Sequence, residues 1–212
     1  MNILIIMLYA TLFLSQPLSY TGNKHSTTYQ PTKKEKKLIA AIQSGKIKTV
    51  HKLIMQDPSL LEKRTKGKTP LLWAAEYGEL SIIALLQDKG ANIHTVDMKQ
   101  ENALMLAADK GHTTVCQYLI NEGIDINAQS IFGHTALIAA AYEGYTSICQ
   151  LLLDHKADIS LRDDRNHDAY DYAAERRKQV TTDKVKNYEN IMRLLLEMQK
   201  QSDQPPLNLL NL

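Results

Sequence analysis

The densest cluster of side chains that could do chemistry lies between Asp163 and Asp168, with His155 nearby in the sequence. Carboxylates and imidazoles bind metals or transfer protons when several of them converge on one point. These residues instead spread along a predicted turn beside Arg165, and Asp168 is placed to cap the helix that follows. The pattern favours a solvated turn over a metal site, and we expect no metal or other cofactor there.

The remaining histidines, serines and cysteines lack the neighbours that catalysis requires. His112 and His134 are isolated histidines at positions that we expect to be exposed. No glycine pattern of a nucleophile elbow or a phosphate-binding loop accompanies the serines. Cys116 and Cys149 are too few for a disulfide framework or a four-thiolate zinc site. We therefore predict that the protein is not an enzyme and binds no small-molecule substrate.

Charge and composition exclude further classes of function. The chain of 212 residues has 25 Lys and Arg against 23 Asp and Glu, so its charges nearly balance. Proteins that bind nucleic acid instead carry a basic excess on one face. The basic runs 33–37 and 176–178 lack interleaved aromatic residues, so solvated faces explain them better than contact with nucleic acid or anionic lipid. With 44% apolar and 23% charged residues, most of the chain is expected to fold.

The two ends of the chain differ from its middle. As a helix, the apolar run 3–14 would reach about 18 Å, which is too short for a hydrocarbon core of roughly 30 Å. This length is typical of a signal peptide, so we interpret residues 1–22 as an export signal, with an uncleaved membrane anchor or a cytosolic leader as alternatives. We expect residues 23–31 to be a linker and residues 201–212 to be a flexible tail. The predicted location is therefore periplasmic or secreted, with membrane contact only if the leading segment is retained.

A nine-residue motif recurs in the middle of the chain every 33 residues. Its four copies begin at Gly67, Gln100, Gly133 and Asn166. The third residue of each copy can cap the first turn of a helix, as Thr69 would do ahead of Pro70. A period of this length indicates a stacked array of like units.

Glycines divide each unit into two helices. A first helix followed by a second apolar helical stripe is expected in each unit, since glycines with positive φ commonly end helices. Lys156 occupies the place of one such glycine, and a lysine with positive φ costs about 1–2 kcal/mol. Trp73, aligned with Leu106 and Ala139, is expected to pack in the core. The terminating glycines are Gly78, Gly111 and Gly144 for the first helices, and Gly90 and Gly123 for the second.

The array resembles the ankyrin-repeat family, whose unit is a β-turn and two helices with a Thr-Pro-Leu-His-x-Ala signature. In the copy that begins at Gly67, residues 69–74 follow this signature, except that Leu72 replaces the histidine. The resemblance covers residues 32–200 and implies an all-α solenoid of about five repeats, stacked helix–turn–helix units with hairpin turns. The first and last repeats are degenerate caps. In the last one, additional residues around 178–184 are expected to lengthen the connection or the final helix.

The resemblance also implies where a partner would bind. In this family, contacts come from hairpin tips and exposed positions of the first helices, which form a concave face. We expect Met98, Ile131 and Phe132 to form an exposed apolar patch flanked by Tyr77 and Tyr142, unless Phe132 folds back onto its own turn. The predicted function is binding of an unidentified protein, with a membrane-tethered scaffold as the alternative. Carried over position by position, the contact residues are Lys66, Lys68, Tyr77, Met98, Lys99, Glu101, Lys110, Ile131, Phe132, His134, Tyr142, Asp164 and Arg165.

Overall fold

A computed structural model describes residues 30–180 and 184–202 of the chain. The predicted leader 1–22, nearly all of the linker 23–31 and nearly all of the tail 201–212 lie outside these described residues. Among the described helices, none combines the length and hydropathy needed to cross a membrane. The ten α-helices of this part are α1 (Lys33–Gln43), α2 (Ile47–Gln56), α3 (Pro70–Glu76), α4 (Leu80–Asp88), α5 (Ala103–Asp109), α6 (Thr113–Asn121), α7 (Ala136–Glu143), α8 (Thr146–Asp154), α9 (Ala169–Gln179) and α10 (Val185–Ser202).

The helices form five pairs, α1–α2 to α9–α10, which we call units 1 to 5. The hairpin turn that precedes the first helix of units 2 to 5 is the tip of that unit. Two isolated β-bridges, Thr65 with Lys68 and Val96 with Asn102, lie at tips, and the described residues contain no strands. The predicted all-α stack of helix–turn–helix units is therefore confirmed.

Side-chain caps begin the first helices, as predicted. In units 2 to 5, the side chain of the cap accepts a hydrogen bond from the backbone amide three residues further on. Helix α1 begins in a capping box formed by Thr32 and Glu35. Each cap satisfies an amide that the helix itself leaves unpaired, and is worth about 1 kcal/mol. The four caps of units 2 to 5 are Thr69, Asn102, Thr135 and Asp168.

Glycines follow the first helices because the next unit lies against them. Gly78 has φ +74°, and a Cβ there would lie 2.5 Å from the ring of His112 in the next unit. Gly111 repeats this arrangement with φ +78° and the ring of Tyr145 at 2.8 Å. Lys156 has φ +63°, as its place in the repeat predicts. The predicted helix ends are confirmed, and two of the glycines also provide room for packing between units.

The two layers of helices pack to different extents. The first helices carry pairs of fully buried alanines, which allow their backbones to approach closely. Bulkier aliphatic side chains separate the second helices, and these helices make fewer contacts with one another. The first helices therefore line the inner side of the stack, as expected. The alanine pairs are Ala74 and Ala75, Ala107 and Ala108, and Ala140 and Ala141.

Both cysteines belong to the apolar core. Cys116 and Cys149 are buried and unpaired. Burial raises the pKa of each thiol to about 12. Because the thiolate is the reactive form, both cysteines are inert hydrophobic residues at neutral pH.

Unit 5 departs from the regular repeat. Helix α9 has 11 residues where α3 has 7, and α10 has 18 residues. The final helix is lengthened relative to the 9 residues of α8, as one of the two predicted alternatives stated, and the first helix of this unit is lengthened as well, which the sequence did not indicate. The longer helix extends past its neighbour and provides further contacts for the end of the stack.

The two basic runs behave differently. The lysines of the run 33–37 are exposed, as expected. Arg176 instead packs 4.6 Å over the ring of Tyr142 and donates to its carbonyl oxygen. Arg177 pairs with Glu189 at 2.6 Å. The prediction of a solvated face is wrong for Arg176, because its side chain lies against Tyr142 of the neighbouring helix.

Candidate protein-binding groove

An open groove of about 620 Å³ runs along the inner side of the stack. Side chains from helices α3, α5, α7 and α9 and from the tips of units 2 to 5 line it. The structure thus brings together most of the predicted contact residues on one surface. Those that line the groove are Lys68, Lys99, Glu101, Lys110, Phe132, His134, Tyr142, Asp164 and Arg165.

The other four predicted contact residues, Lys66, Tyr77, Met98 and Ile131, do not line the groove. Met98 is 79% exposed and lies across Gly67 of the preceding tip. Tyr77 and Ile131 are also exposed. The expected apolar patch is therefore divided between Phe132 and Tyr142 in the groove and three exposed residues outside it.

Phe132 stands at the rim of the groove. Its side chain is 48% exposed, and its ring centroid lies 6.4 Å from that of His134 in the same tip. Its amide donates to the hydroxyl of Ser130, and its carbonyl accepts from the amide of Asp164. One side of the ring therefore packs on its own tip, while much of the side chain stays open to the groove.

Backbone hydrogen bonds connect neighbouring tips. The amide of Ile131 donates to the carbonyl of Lys99 over 2.9 Å. The amide of Asp164 donates to the carbonyl of Phe132 over 3.0 Å. These bonds join the tips of units 3, 4 and 5 into one continuous edge, which holds the rim of the groove in place.

A buried polar side chain braces each of these tips from within. Asp97, Ser130 and Asp163 occupy one position of the repeat, and each accepts hydrogen bonds from the amides two and four residues further on. Such local bonds hold a turn in a single conformation. The sequence predictions did not include this brace, although a short polar residue at a fixed place in three units was a signal for it.

In unit 5 the brace extends into a larger network. The carboxylate of Asp163 is only 2% exposed, accepts from the hydroxyl of Tyr172 and lies 3.3 Å from Nε2 of His134. Burial by itself would raise the pKa of Asp163, but hydrogen bonds from Tyr172, His167 and Arg165 hold it below the usual value. Burial and the Asp163 carboxylate together raise the pKa of Tyr172 to about 12. The prediction of a solvated turn is therefore wrong for Asp163.

His112 is less exposed than expected, whereas the side chain of His134 remains 44% exposed. His112 packs against Gly78 of the preceding unit, with Nε2 3.0 Å from the carbonyl oxygen of Glu76. His134 faces Asp163 and meets the ring of Tyr172 edge-on. The expectation of exposure failed for His112 because its ring packs against the preceding unit. No group of three or more His, Cys, Asp or Glu residues within the described ranges is arranged to hold a metal ion.

Two ion pairs neutralise part of the groove. Lys68 Nζ lies 2.7 Å from Glu76 Oε2, with both side chains largely buried. Lys110 Nζ lies 2.9 Å from Asp109 Oδ2, with both side chains nearly half exposed. Since these charges already have partners, they offer little net charge to a ligand.

The remaining charges of the groove and its tips are arranged unevenly. Within the described part of the chain, Lys66, Lys99 and Arg165 form no ion pair, and all three are exposed at tips. Burial, with the nearby carboxylate of Asp97, raises the pKa of Glu101 and so disfavours its charged form. The lining of the groove holds four lysine or arginine side chains and five carboxylates, so it carries no excess of positive charge.

Comparison with known proteins agrees with this architecture. A family model described as ankyrin repeats (3 copies) matches residues 38–130 and 127–205. No curated protein sequence matches the chain. Period, helix pairs, hairpin tips and family match all agree, and the chain belongs to the ankyrin-repeat family.

Proposed function

We propose that the chain is a non-enzymatic module that binds a protein partner in the groove of its ankyrin stack. Ankyrin repeats generally mediate protein–protein interaction. The observation that carries the proposal is the groove of about 620 Å³, in which Phe132 and Tyr142 are 48% and 39% exposed. Aromatic side chains in such positions provide much of the binding energy of interfaces.

The connected tips support the same function. A surface that is already ordered loses less conformational entropy when a partner binds. The bonds from Ile131 to Lys99 and from Asp164 to Phe132 provide this order at the rim. The buried braces at Asp97, Ser130 and Asp163 provide it within each tip.

Affinity capture with matched variants tests the proposal. Wild type and Phe132→Ala are used as baits in extracts of the native compartment, and bound proteins are quantified by mass spectrometry. Met55→Ala is the control, because Met55 is 60% exposed on α2 and does not line the groove. A partner bound in the groove should be retained by the control. Phe132→Ala removes an anchor side chain worth roughly 2 kcal/mol, so this variant should bind the partner about thirtyfold more weakly than wild type.

Equal recovery by both variants would contradict binding at Phe132. An enzyme that uses the region from His155 to Asp168 is the competing hypothesis, and metal analysis of the purified protein addresses it. A metal bound at one equivalent would favour that hypothesis, whereas the proposal expects none.

We further propose that residues 1–22 direct export, so that the groove works in a periplasmic or secreted protein. The length of the apolar run 3–14 supports this assignment. Sequencing the mature amino terminus tests it. A start near residue 20 is the expected result, and a retained Met1 on membrane-bound protein would favour the membrane-tethered scaffold instead.

A further inference from the structure

The last unit exposes apolar side chains at positions that the unit before it buries. Residues 191–196 of α10 repeat the pattern of residues 148–153 of α8, with Ile, Leu, Leu and Leu at the same places. Leu196 therefore corresponds to Leu153, yet Leu196 is 42% exposed and Leu153 only 2%. Helix α10 packs on α8, whereas no further unit among the described residues packs on α10. Unit 5 thus leaves open the kind of surface that stacking covers in unit 4.

This surface forms a shallow groove of about 400 Å³ on α9 and α10, which we call the end groove. Met192 and Leu196 lie one turn apart on α10 and supply its apolar surface. Five charged side chains also line it, and four of them neutralise one another in two ion pairs, which leaves the cation of Lys200. A ligand for the end groove should therefore be apolar and carry at most one negative charge. The two pairs are Arg177 with Glu189 at 2.6 Å and Arg193 with Glu197 at 3.3 Å.

The segment that follows α10 has this composition. Residues 207–212, which we call the leucine segment, read Leu-Asn-Leu-Leu-Asn-Leu and carry no charged side chain. Asp203 is the only charged residue in 203–212, so one negative charge faces the one unpaired cation of the end groove. Pro205 and Pro206 cannot continue a helix, because proline lacks an amide hydrogen and clashes with the preceding turn. The chain therefore has to leave the axis of α10 before the leucine segment begins.

The segment is also long enough to reach the end groove. Helix α10 ends at Ser202, and a rise of 1.5 Å per residue places Met192 about 15 Å before that end. Residues 203–206 span up to about 13 Å when extended, which is enough to reverse direction. The six residues of the leucine segment span up to about 20 Å. A segment that runs back along α10 can therefore pass Leu196 and reach Met192.

Attachment favours this segment over a separate molecule. A short linker gives a tethered segment an effective concentration in the millimolar range, so weak contacts suffice to hold it. Seven side chains line the end groove, whereas a stable interface between two proteins takes about 20–30 residues from each of them. The end groove therefore suits a short tethered segment better than a second folded chain.

We infer that the leucine segment binds the end groove of its own chain, where its side chains cover Met192 and Leu196 as a further unit would. The sequence alone predicts a flexible tail, because the surface that holds the segment is formed only in the folded stack. The inference does not rest on the proposed function. The end groove shares no lining residue with the groove on the inner side of the stack, so either assignment can fail without the other.

The reactivity of an introduced thiol tests the inference in the full chain. Leu196→Cys places a thiol in the end groove, while the native cysteines are buried and react slowly. N-ethylmaleimide should label this thiol about tenfold more slowly with the native leucine segment than with a serine segment, since a docked segment shields it except when it opens. The serine segment carries serine in place of Leu207, Leu209, Leu210 and Leu212.

Two controls are matched to this measurement. Met55→Cys places a thiol on α2, at the other end of the stack, and its labelling rate should change less than about twofold between the two segments. Asn208→Ser combined with Asn211→Ser alters the segment but keeps its leucines. This variant should protect the thiol at position 196 as well as the native segment does.

Thermal unfolding with Leu196 in place provides a second measurement. The serine segment should lower the midpoint by about 2–4 °C, because the contacts of the leucines with the end groove are lost. Leu196→Asp should lower the midpoint when the leucine segment is present and have a smaller effect when the serine segment replaces it. Such non-additivity is expected of groups in contact.

Other results would overturn the inference. Equal labelling rates with the leucine and serine segments would show that the segment does not cover the end groove. Slow labelling that depends on protein concentration, with a doubled mass in sedimentation, would assign the end groove to a second copy of the chain. Strictly additive effects of the serine segment and Leu196→Asp would place the leucines elsewhere.

Discussion

Units 2 and 4 share one backbone arrangement, but one position, at the floor of the groove, is filled in unit 2 and open in unit 4. In unit 2, Trp73 fills the floor position, is only 9% exposed and donates from its indole nitrogen to the carbonyl of Thr65. Tyr77 stacks on it at 6.0 Å, and the ammonium group of Lys68 lies 5.2 Å from its ring. In unit 4, Ala139 leaves the same position open, and the aromatic rings nearby belong to other positions and to the next unit.

The difference shows that a single side chain decides whether a unit contributes to the core or to a binding surface. Units of a stack contact only their neighbours, so such a change in one unit leaves distant units intact. The two units therefore make separate predictions. Truncation in unit 2 should mainly change stability, whereas filling unit 4 should mainly change binding.

The largest effect is expected when the floor of unit 2 is emptied. Trp73→Ala removes a buried ring and its hydrogen bond, and should lower the free energy of unfolding by about 3–5 kcal/mol. Urea unfolding followed by circular dichroism measures this change. Phe132→Ala is the matched control, since it removes a half-exposed ring from unit 4 and should cost less than about 1.5 kcal/mol. Equal losses for the two variants would mean that the two units do not differ as described.

The next effect concerns the wall of the groove in unit 5. Asp163→Ala leaves the amides of Arg165 and His167 and the hydroxyl of Tyr172 without their acceptor, and should cost about 2–3 kcal/mol. Asp164→Ala is the control, because Asp164 is exposed and should stay within about 0.5 kcal/mol of wild type. A small loss for both variants would show that Asp163 does not hold the wall.

The destabilising effect of Asp163→Ala should disappear in acid. The pKa of Asp163 is lowered in the folded protein, so its stabilisation is fully present above the unfolded pKa of about 3.9 and is lost as the pH falls through the folded value. Urea midpoints of wild type and Asp163→Ala should therefore converge between about pH 4 and pH 2. A difference that widens on acidification would contradict the assignment.

A smaller effect is expected at the outer side of Trp73. Lys68→Met removes the ion pair with Glu76 and the contact of the ammonium group with the indole, and should cost about 1 kcal/mol. Lys110→Met is the control, because its pair with Asp109 is nearly half exposed and should contribute about 0–0.5 kcal/mol. Double-mutant cycles with Trp73→Phe would separate the contact with the ring from the ion pair.

Much of the fold was predictable because its signals are local. The cap at Thr69 and the helix end at Gly78 depend on residues within one short segment, so the 33-residue period located each unit. Contacts between units were harder to predict from the sequence. Nothing in the order of residues indicates that His112 packs against Gly78 or that Tyr172 donates to Asp163, since both contacts depend on distances across the stack.

The candidate site was predicted in part for the same reason. Residues such as Phe132 and Tyr142 came from their place in the repeat, and they do line the groove. Alignment of Trp73, Leu106 and Ala139 suggested only core packing, which is correct for Trp73. Ala139 lines the groove beside Tyr172 of the next unit, and this arrangement can be recognised only in the stacked structure.

The smallest change in stability is expected from converting unit 4 to the arrangement of unit 2. Ala139→Trp places the same side chain on the same backbone position, partly exposed and bordered by Leu106 and Tyr172, and should leave the free energy of unfolding within about 1 kcal/mol of wild type. Fluorescence of the new indole measures its environment, with Trp73→Phe as background to remove the native signal. A blue-shifted, quencher-protected emission would show that the groove floor of unit 4 accepts an aromatic ring of this size. Emission like that of free tryptophan would mean that the ring stays in solvent, so that the groove floor of unit 4 is closed to an anchor side chain from a partner as well.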